Sequence, residues 1–117
     1  MSQKISLIKV VCKTGKTVFL RKMKISDTEV AAQTVALRAN GDPNVLQVLM
    51  QKALVQLLIV KIASAPDAEP RAISANERED MDSLFEMGEY SQVLKVIGHI
   101  SGGEDAGKMP QVEMVME

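Results

Sequence analysis

The sequence predicts an α+β fold with an N-terminal antiparallel β-hairpin, a bundle of three to four α-helices and a flexible C-terminal tail. β-Branched residues are concentrated at the start of the chain, on both sides of a Lys-Thr-Gly-Lys turn. Apolar residues farther along recur at helical spacing. Aromatic residues are limited to two Phe and one Tyr. We therefore expect residues 1–101 to form a single domain with a core of aliphatic and Met side chains.

The hairpin is predicted over residues 4–25. Its turn spans residues 13–16, where Gly15 can adopt the positive φ that a tight turn needs. Neither face of the second arm is purely polar, so we expect a partner to cover one of them. The residues on that face are Phe19, Arg21 and Met23.

Two helices are predicted next, over about 27–39 and 43–63. Ser26 or Asp27 can cap the first, and the dipeptide at 40–41 supplies a left-handed stop. The dipeptide Asp-Pro at 42–43 is typical of a helix start. The second helix is apolar around most of its circumference, which favours a central position and self-association. The apolar stripe of the first helix is assigned to Val30, Thr34 and Leu37 with Ala31 and Val35.

Two further helices are predicted over about 75–87 and 89–100. The prolines at 66 and 70 make the preceding segment a loop. Ser74 and Glu77 have capping-box spacing, which places the start of the third helix near residue 75. Its predicted buried face consists of Met81, Leu84 and Phe85. The face of the fourth helix consists of Tyr90, Val93, Leu94, Ile97 and Ile100.

Residues 102–117 are predicted to form a Gly-rich linker followed by a binding tail. Val112, Met114 and Met116 alternate with other residues, as in a strand. We expect this segment to order on binding by adding to the edge of the hairpin, in its own subunit or a neighbour's. A disordered tail is the alternative.

The charges are segregated although the net charge is only −1. Seven basic residues precede the first acidic residue, Asp27. Such a segment could contact a phosphate backbone, but Phe19 alone is available for stacking, and lysines also protect strand edges. We therefore expect no nucleic-acid partner. Polar residues interrupt the most apolar stretch, 45–62, so we also expect no membrane span.

Catalytic, cofactor-binding and metal-binding residues are all predicted to be absent. Cys12 and His99 are the only residues of their types and lie far apart. The acidic run from Glu77 to Glu89 lacks the spacing of a calcium loop and reads as a solvated helix face. No secretory signal is recognised, and a single Cys cannot form an internal disulfide, so a reducing cytoplasm is expected.

Two stretches resemble tail assembly chaperones and small baseplate-assembly proteins of contractile-tailed bacteriophages. One is Lys-Thr-Val-Phe-Leu-Arg-Lys at 16–22, and the other is Met-Asp-Ser-Leu-Phe-Glu-Met-Gly-Glu-Tyr at 81–90. The second stretch contains the acidic and aromatic pattern of that group, at Asp82, Leu84, Phe85, Glu89 and Tyr90. The similarity covers most of residues 16–100 and consists of loose hydrophobic and acidic patterns.

The resemblance implies a non-enzymatic protein that binds a tape measure or baseplate component in the host cytoplasm during virion assembly. A permanent subunit of the tail or baseplate is the main alternative. A small inhibitor of a host protein, acting through the acidic run, is another. We also expect a homo-oligomer. The predicted partner-binding residues are Phe19, Arg21, Met23, Leu84, Phe85, Tyr90, Val112, Met114 and Met116.

Overall fold

The computed structural model describes residues 6–101 and 112–116 and confirms the α+β fold class. The strands are β1 (Ser6–Val11), β2 (Thr17–Arg21), β3 (Ile59–Ala63), β4 (Arg71–Ala72) and β5 (Val112–Met116). The helices are α1 (Ile25–Ala39), α2 (Pro43–Leu58), α3 (Ala75–Glu79), α4 (Met81–Leu84) and α5 (Met87–Ser101). The strands form one antiparallel sheet in the order β4-β3-β2-β1-β5. The predicted linker at 102–111 and the first two residues of the predicted hairpin lie outside the described residues.

The predicted N-terminal hairpin is confirmed as β1 and β2. Its register pairs Ile8 with Leu20 and Val10 with Val18. Gly15 has a φ of 95°, as the turn requires, and its N–H donates to the Cys12 carbonyl at 2.9 Å. The turn thus sets a register that places one apolar row of each strand on the same face.

The two faces of the sheet differ in what covers them. The face with Ile8, Val10, Val18 and Leu20 belongs to the main core, together with buried residues of α1, α2, α4 and α5. The opposite face carries a small cluster of Leu7, Phe19 and Ala63. Part of the loop after β3 lies against that cluster, since Ala68 packs on it and the Lys9 ammonium donates to the Pro66 carbonyl at 3.2 Å.

The predicted helix signals around residues 40–42 are confirmed. Asn40 and Gly41 have φ values of 50° and 79°, and the Asp42 carboxylate accepts the Asn44 N–H at 2.9 Å. The predicted stripe of α1 is partly wrong, because the buried positions are Ala31, Val35 and Ala39, whereas Val30 and Leu37 are exposed. Small side chains four residues apart form a narrow stripe along which α1 can approach α2 closely.

The second predicted helix is wrong over its last five residues, because α2 ends at Leu58 and Ile59 begins β3 directly. Opposite β2, the register of β3 shifts by one residue between the Phe19 and Leu20 positions, so Val60 is an extra residue. This bulge buries both Ile59 and Ile62 in the main core. Their spacing of three residues therefore looks helical although the backbone is extended.

The third predicted helix is also corrected, since Asp80 separates α3 from α4. The capping box is confirmed: the Ser74 hydroxyl accepts the Glu77 N–H and the Glu77 carboxylate accepts the Ser74 N–H, both at 3.2 Å. Asp80 has φ −105° and ψ 81°, outside the helical region, and α3 therefore ends before it. The predicted buried face is nevertheless confirmed, because Met81, Leu84 and Phe85 are all in the core.

Residues 112–116 form β5 beside β1 of the same chain, one of the two arrangements expected for the tail. Val10 lies opposite Val112, and Ile8 lies opposite Met114. Val112 is buried in the main core, whereas the Met114 side chain is 51% exposed. The tail therefore contributes to the core of its own subunit.

Val112→Ala should lower the free energy of unfolding by about 1 to 2 kcal/mol, because it leaves a cavity beside β1. Urea denaturation of the full chain measures the effect. Met114→Ala is the matched control on the same strand face and should cost less than half as much, because that side chain is half-exposed. Equal losses would show that β5 does not pack as described.

Candidate partner-binding groove

An apolar groove lies between α2 and the segment that joins α4 to α5. Its volume is about 330 Å³. Most of the lining is apolar, with one charged side chain from each wall. The lining residues are Val48, Leu49 and Lys52 of α2, and Met81, Asp82, Phe85, Met87 and Tyr90 of the opposite wall. We refer to these eight residues as the α2–α5 groove.

Two aromatic rings form the inner wall of the groove. The Phe85 and Tyr90 ring centroids are 6.3 Å apart, and the rings are tilted by 45°. Phe85 is extended at the end of α4, with φ −130° and ψ 141°, so the chain turns there before α5 begins. Burial raises the pKa of the Tyr90 hydroxyl. The wall is thus packed into the domain and is not a pair of free surface rings.

The buried carboxylate of Glu89 holds this wall against the turn of the hairpin. The Glu89 side chain is only 4% exposed. It accepts the Glu86 N–H at 2.9 Å, which caps the start of α5, and the Thr14 hydroxyl also donates to it. Burial raises the pKa of Glu89, but the hydrogen bonds from Thr14, Glu86 and Lys16 outweigh that effect and lower it below the ordinary value.

Lys16 adds a second link between the turn and the groove wall. Its ammonium lies 3.3 Å from the Glu89 carboxylate and donates to the Leu84 carbonyl. It also lies 5.8 Å from the centre of the Phe85 ring. One cation thereby joins α4, the aromatic wall and the start of α5 to the hairpin.

These contacts give a structural role to most of the pattern that resembles phage tail proteins. Leu84 and Phe85 are core residues, Tyr90 is half-buried beside them, and Glu89 is the cap that binds the hairpin turn. Only Asp82 of that set is exposed, and it lies on the rim of the groove. The pattern therefore shapes the wall of the groove, with two of its members, Phe85 and Tyr90, facing into it.

The other predicted partner-binding residues are dispersed over the molecule. Phe19 belongs to the cluster on the opposite face of the sheet. Arg21 forms a bidentate pair with the Asp27 carboxylate, at 2.9 and 2.8 Å, and Met23 is half-buried against the main core. Val112 and Met114 lie on β5; the side chain of Met116 lies outside the described part of the chain. The structure does not join these residues to the α2–α5 groove.

Sequence reasoning missed Val48, Lys52 and Met87 as groove residues. Val48 is 64% exposed and Met87 is 75% exposed. A signal for Val48 was present, because α2 has more apolar positions than one buried face needs. No signal located Met87, whose exposure depends on the packing of Phe85 and Tyr90 around the start of α5.

The groups considered for catalysis or metal binding lie in structural positions. Burial raises the pKa of the Cys12 thiol to about 11, which favours the protonated thiol at neutral pH. His99 lies in the last turn of α5. The prediction that the acidic run is a solvated face is only partly right: Glu79, Asp80, Asp82 and Glu86 are exposed, whereas Glu77 is paired with Arg71 at 2.6 Å and Glu89 is buried. The part of the chain that the structure describes contains no group of three His, Cys, Asp or Glu residues that could hold a metal ion.

Comparisons with protein-family models, curated proteins and solved structures find no match to this chain. None of the helices within residues 6–101 combines the length and the apolar character needed to cross a membrane.

Glu89→Gln should lower the free energy of unfolding at pH 7 by about 2 kcal/mol, because Gln replaces a buried, charge-assisted acceptor. The folded-state pKa of Glu89 is below its ordinary value of 4.5, so its contribution is present above pH 4.5 and is lost as the pH falls below it. Urea denaturation at pH 7 and pH 3 should therefore show the difference from wild type shrinking in acid. Glu86→Gln, which alters an exposed neighbour, is the control and should have little effect; a difference for Glu89→Gln that does not depend on pH would contradict the assignment.

Asp27→Asn should cost about 1 to 2 kcal/mol at neutral pH, because the hydrogen bonds from Arg21 lower the Asp27 pKa from 3.8 to about 2. A depressed pKa means that this stabilisation is present above pH 3.8 and is lost as the pH falls towards 2. Thermal unfolding of wild type and variant from pH 6 to pH 2 should converge at the acid end. Glu29→Gln in the same helical turn is the control, and parallel curves for Asp27→Asn and wild type would contradict the prediction.

Proposed function

We propose that this chain is a non-enzymatic binding protein that takes an amphipathic helix of a partner protein into the α2–α5 groove. The observation that carries the proposal is the groove itself, which combines exposed aliphatic and Met side chains with an aromatic wall. Helices bind to protein surfaces by placing an apolar face in such a groove. An open apolar groove of this kind is unusual on a surface that contacts only water.

The residues that line the groove favour a partner helix with an apolar face, and they can accept apolar side chains of different shapes on that face. Met81 and Met87 stand in the same wall, and the flexible thioether chain of Met adapts to different shapes. Val48 supplies a rigid contact from the other wall. A partner helix with Leu, Ile or Phe at positions i, i+3 or i+4, and i+7 would cover these groups.

Charge at the rim indicates which polar residues should flank that apolar face. Lys52 of α2 and Asp82 of α4 line opposite walls of the groove. A partner helix with an acidic residue on one side and a basic residue on the other would satisfy both. Such rim charges contribute more to orientation than to affinity.

The resemblance to phage tail proteins suggests the class of partner. Its acidic and aromatic pattern builds one wall of the groove, through Asp82, Phe85 and Tyr90. On this basis we propose that the partner is a tape measure or baseplate component, bound in the bacterial cytoplasm during virion assembly. A permanent tail or baseplate subunit would use the same groove, and mass spectrometry of purified particles separates the two roles by stoichiometry.

Val48→Asp should weaken binding of that partner at least tenfold, because it buries a carboxylate in the apolar groove when the helix docks. The experiment titrates the purified chain with the tape measure and baseplate proteins of the phage genome that encodes it. Calorimetry gives the dissociation constants. Met87→Asp on the opposite wall should have a similar effect.

Leu37→Asp is the matched control, because this α1 side chain is 94% exposed and does not line the groove. It should bind within about twofold of wild type, since it leaves the contact surface unchanged. Unchanged affinity in both groove variants would remove the groove from the proposal. Failure of the wild-type chain to bind any of these tail proteins would remove the proposed class of partner.

A further inference from the structure

The two outer strands of the sheet differ in how well they are protected from pairing with another chain. β4 has only two residues, follows Pro70, and carries Arg71, which is paired with Glu77. β5 has five residues and no Pro, its one charged residue is Glu113, which lies 3.9 Å from the Lys9 ammonium of β1, and within the described residues it pairs only with β1. Short length, Pro and Lys are the usual means by which sheet edges avoid association. Among residues 6–101 and 112–116, β5 is therefore the sheet edge that is open to a further strand.

We propose that β5 pairs antiparallel with β5 of a second copy of this chain, with Met114 opposite Met114 at the two-fold axis. The pairing would join two five-stranded sheets into one continuous sheet. Each unpaired backbone N–H and C=O along the outer side of β5 then gains a partner in the other subunit. This inference is independent of the proposed occupant of the α2–α5 groove.

The charge of Glu113 and the length of β5 favour this register over the alternatives. Directly opposed residues in an antiparallel pair lie on the same face, so the two-fold axis must pass midway between the two copies of a single residue of β5. An axis at Glu113 would oppose two carboxylates, which is unfavourable. An axis at Val115 would leave Val112 without an opposite residue in the described strand. An axis at Met114 pairs all five residues and places Glu113 opposite Val115.

The exposure of the side chains agrees with this arrangement. Met114 is 51% exposed although its strand neighbour Val112 is buried. Met114 lies on the sheet face of Ile8, so the partner's Met114 would lie beside it. A two-fold axis perpendicular to the sheet keeps this face on the same side in both copies. The pairing would thus cover an apolar group that is half-exposed in the single chain.

Disulfide trapping of the full chain tests the register directly. In a Cys12→Ala background, Met114→Cys should give a covalent dimer within minutes of mild oxidation, because opposed Cα atoms in such pairs are about 4.5 to 5.5 Å apart. Glu113→Cys should not dimerise alone but should join to Val115→Cys when the two variants are mixed. Val48→Cys, which is exposed but distant from β5, controls for random collision.

A charge pair at position 115 tests the same contact without cysteine. Val115→Glu would place a carboxylate opposite Glu113 of the other copy, whereas Val115→Lys would place a cation there. Both variants lose the same packing on the cluster of Leu7 and Phe19. Sedimentation equilibrium should therefore show a dimer dissociation constant at least about tenfold weaker for Val115→Glu than for Val115→Lys, with the difference reduced by salt.

Each result decides for or against the pairing. A monomer at 100 micromolar in sedimentation, or no Met114→Cys dimer beyond the rate of Val48→Cys, would overturn it. Efficient self-trapping of Glu113→Cys would overturn the register. A dimer that forms equally in Val115→Glu and Val115→Lys would show that a different surface is used. Circular dichroism checks that each variant is folded, and the cysteine variants decide the matter if a charged variant is not.

Discussion

The Glu89 carboxylate joins the hairpin turn to the start of α5 across 75 residues of sequence, and the arrangement of the helices on the sheet depends on it. A buried carboxylate is tolerated only when its oxygens are fully hydrogen-bonded or paired. Thr14 and Lys16 of the hairpin turn and the Glu86 N–H at the start of α5 meet that requirement together. The same contacts determine where Phe85 and Tyr90 stand. The aromatic wall of the groove is therefore held in place by the hydrogen bonds that satisfy one buried carboxylate.

Local signals in the sequence were sufficient for the turns and for the starts of α2 and α3. The predicted start of α1 was wrong, because the helix begins at Ile25, and Asp27, one of the two predicted caps, lies inside its first turn, where its carboxylate accepts the Lys24 N–H. Gly15, the Asn-Gly at 40–41, Asp42 and the Ser74 capping box all act as their chemistry predicts. The strand β3 could not be predicted, because its bulge places Ile59 and Ile62 on one face with the spacing of a helix. The prediction of which α1 residues are buried was partly wrong for a related reason. Adjacent rows of apolar residues compete for the core, and only tertiary packing decides which row is buried.

The candidate site was predictable only in part. The sequence singled out Phe85 and Tyr90, and the structure brings them together in one wall. It also singled out Phe19 and Arg21, which packing directs to a separate cluster and to an ion pair with Asp27. The exposure of Val48 and Met87 depends on how α2 and α5 meet, which is a long-range property. Residue type identified side chains that are suited to protein–protein contacts, but the fold determined which of them share a surface.

The junction between α2 and β3 has no loop, and this has a mechanical consequence for the groove. The last turn of α2 continues directly into β3, and the Arg78 guanidinium of α3 donates to the carbonyls of Gln56 and Ile59, so this end of the helix is joined covalently to the sheet and by hydrogen bonds to α3. The other end of α2 begins at an exposed Asn-Gly-Asp turn. The helix is thus anchored at its C-terminal end, and α1 packs along the rest of it. The groove lies along the middle of α2, at Val48, Leu49 and Lys52, and stops before the buried Leu58, so an occupant can bind without disturbing the junction of the helix with the sheet.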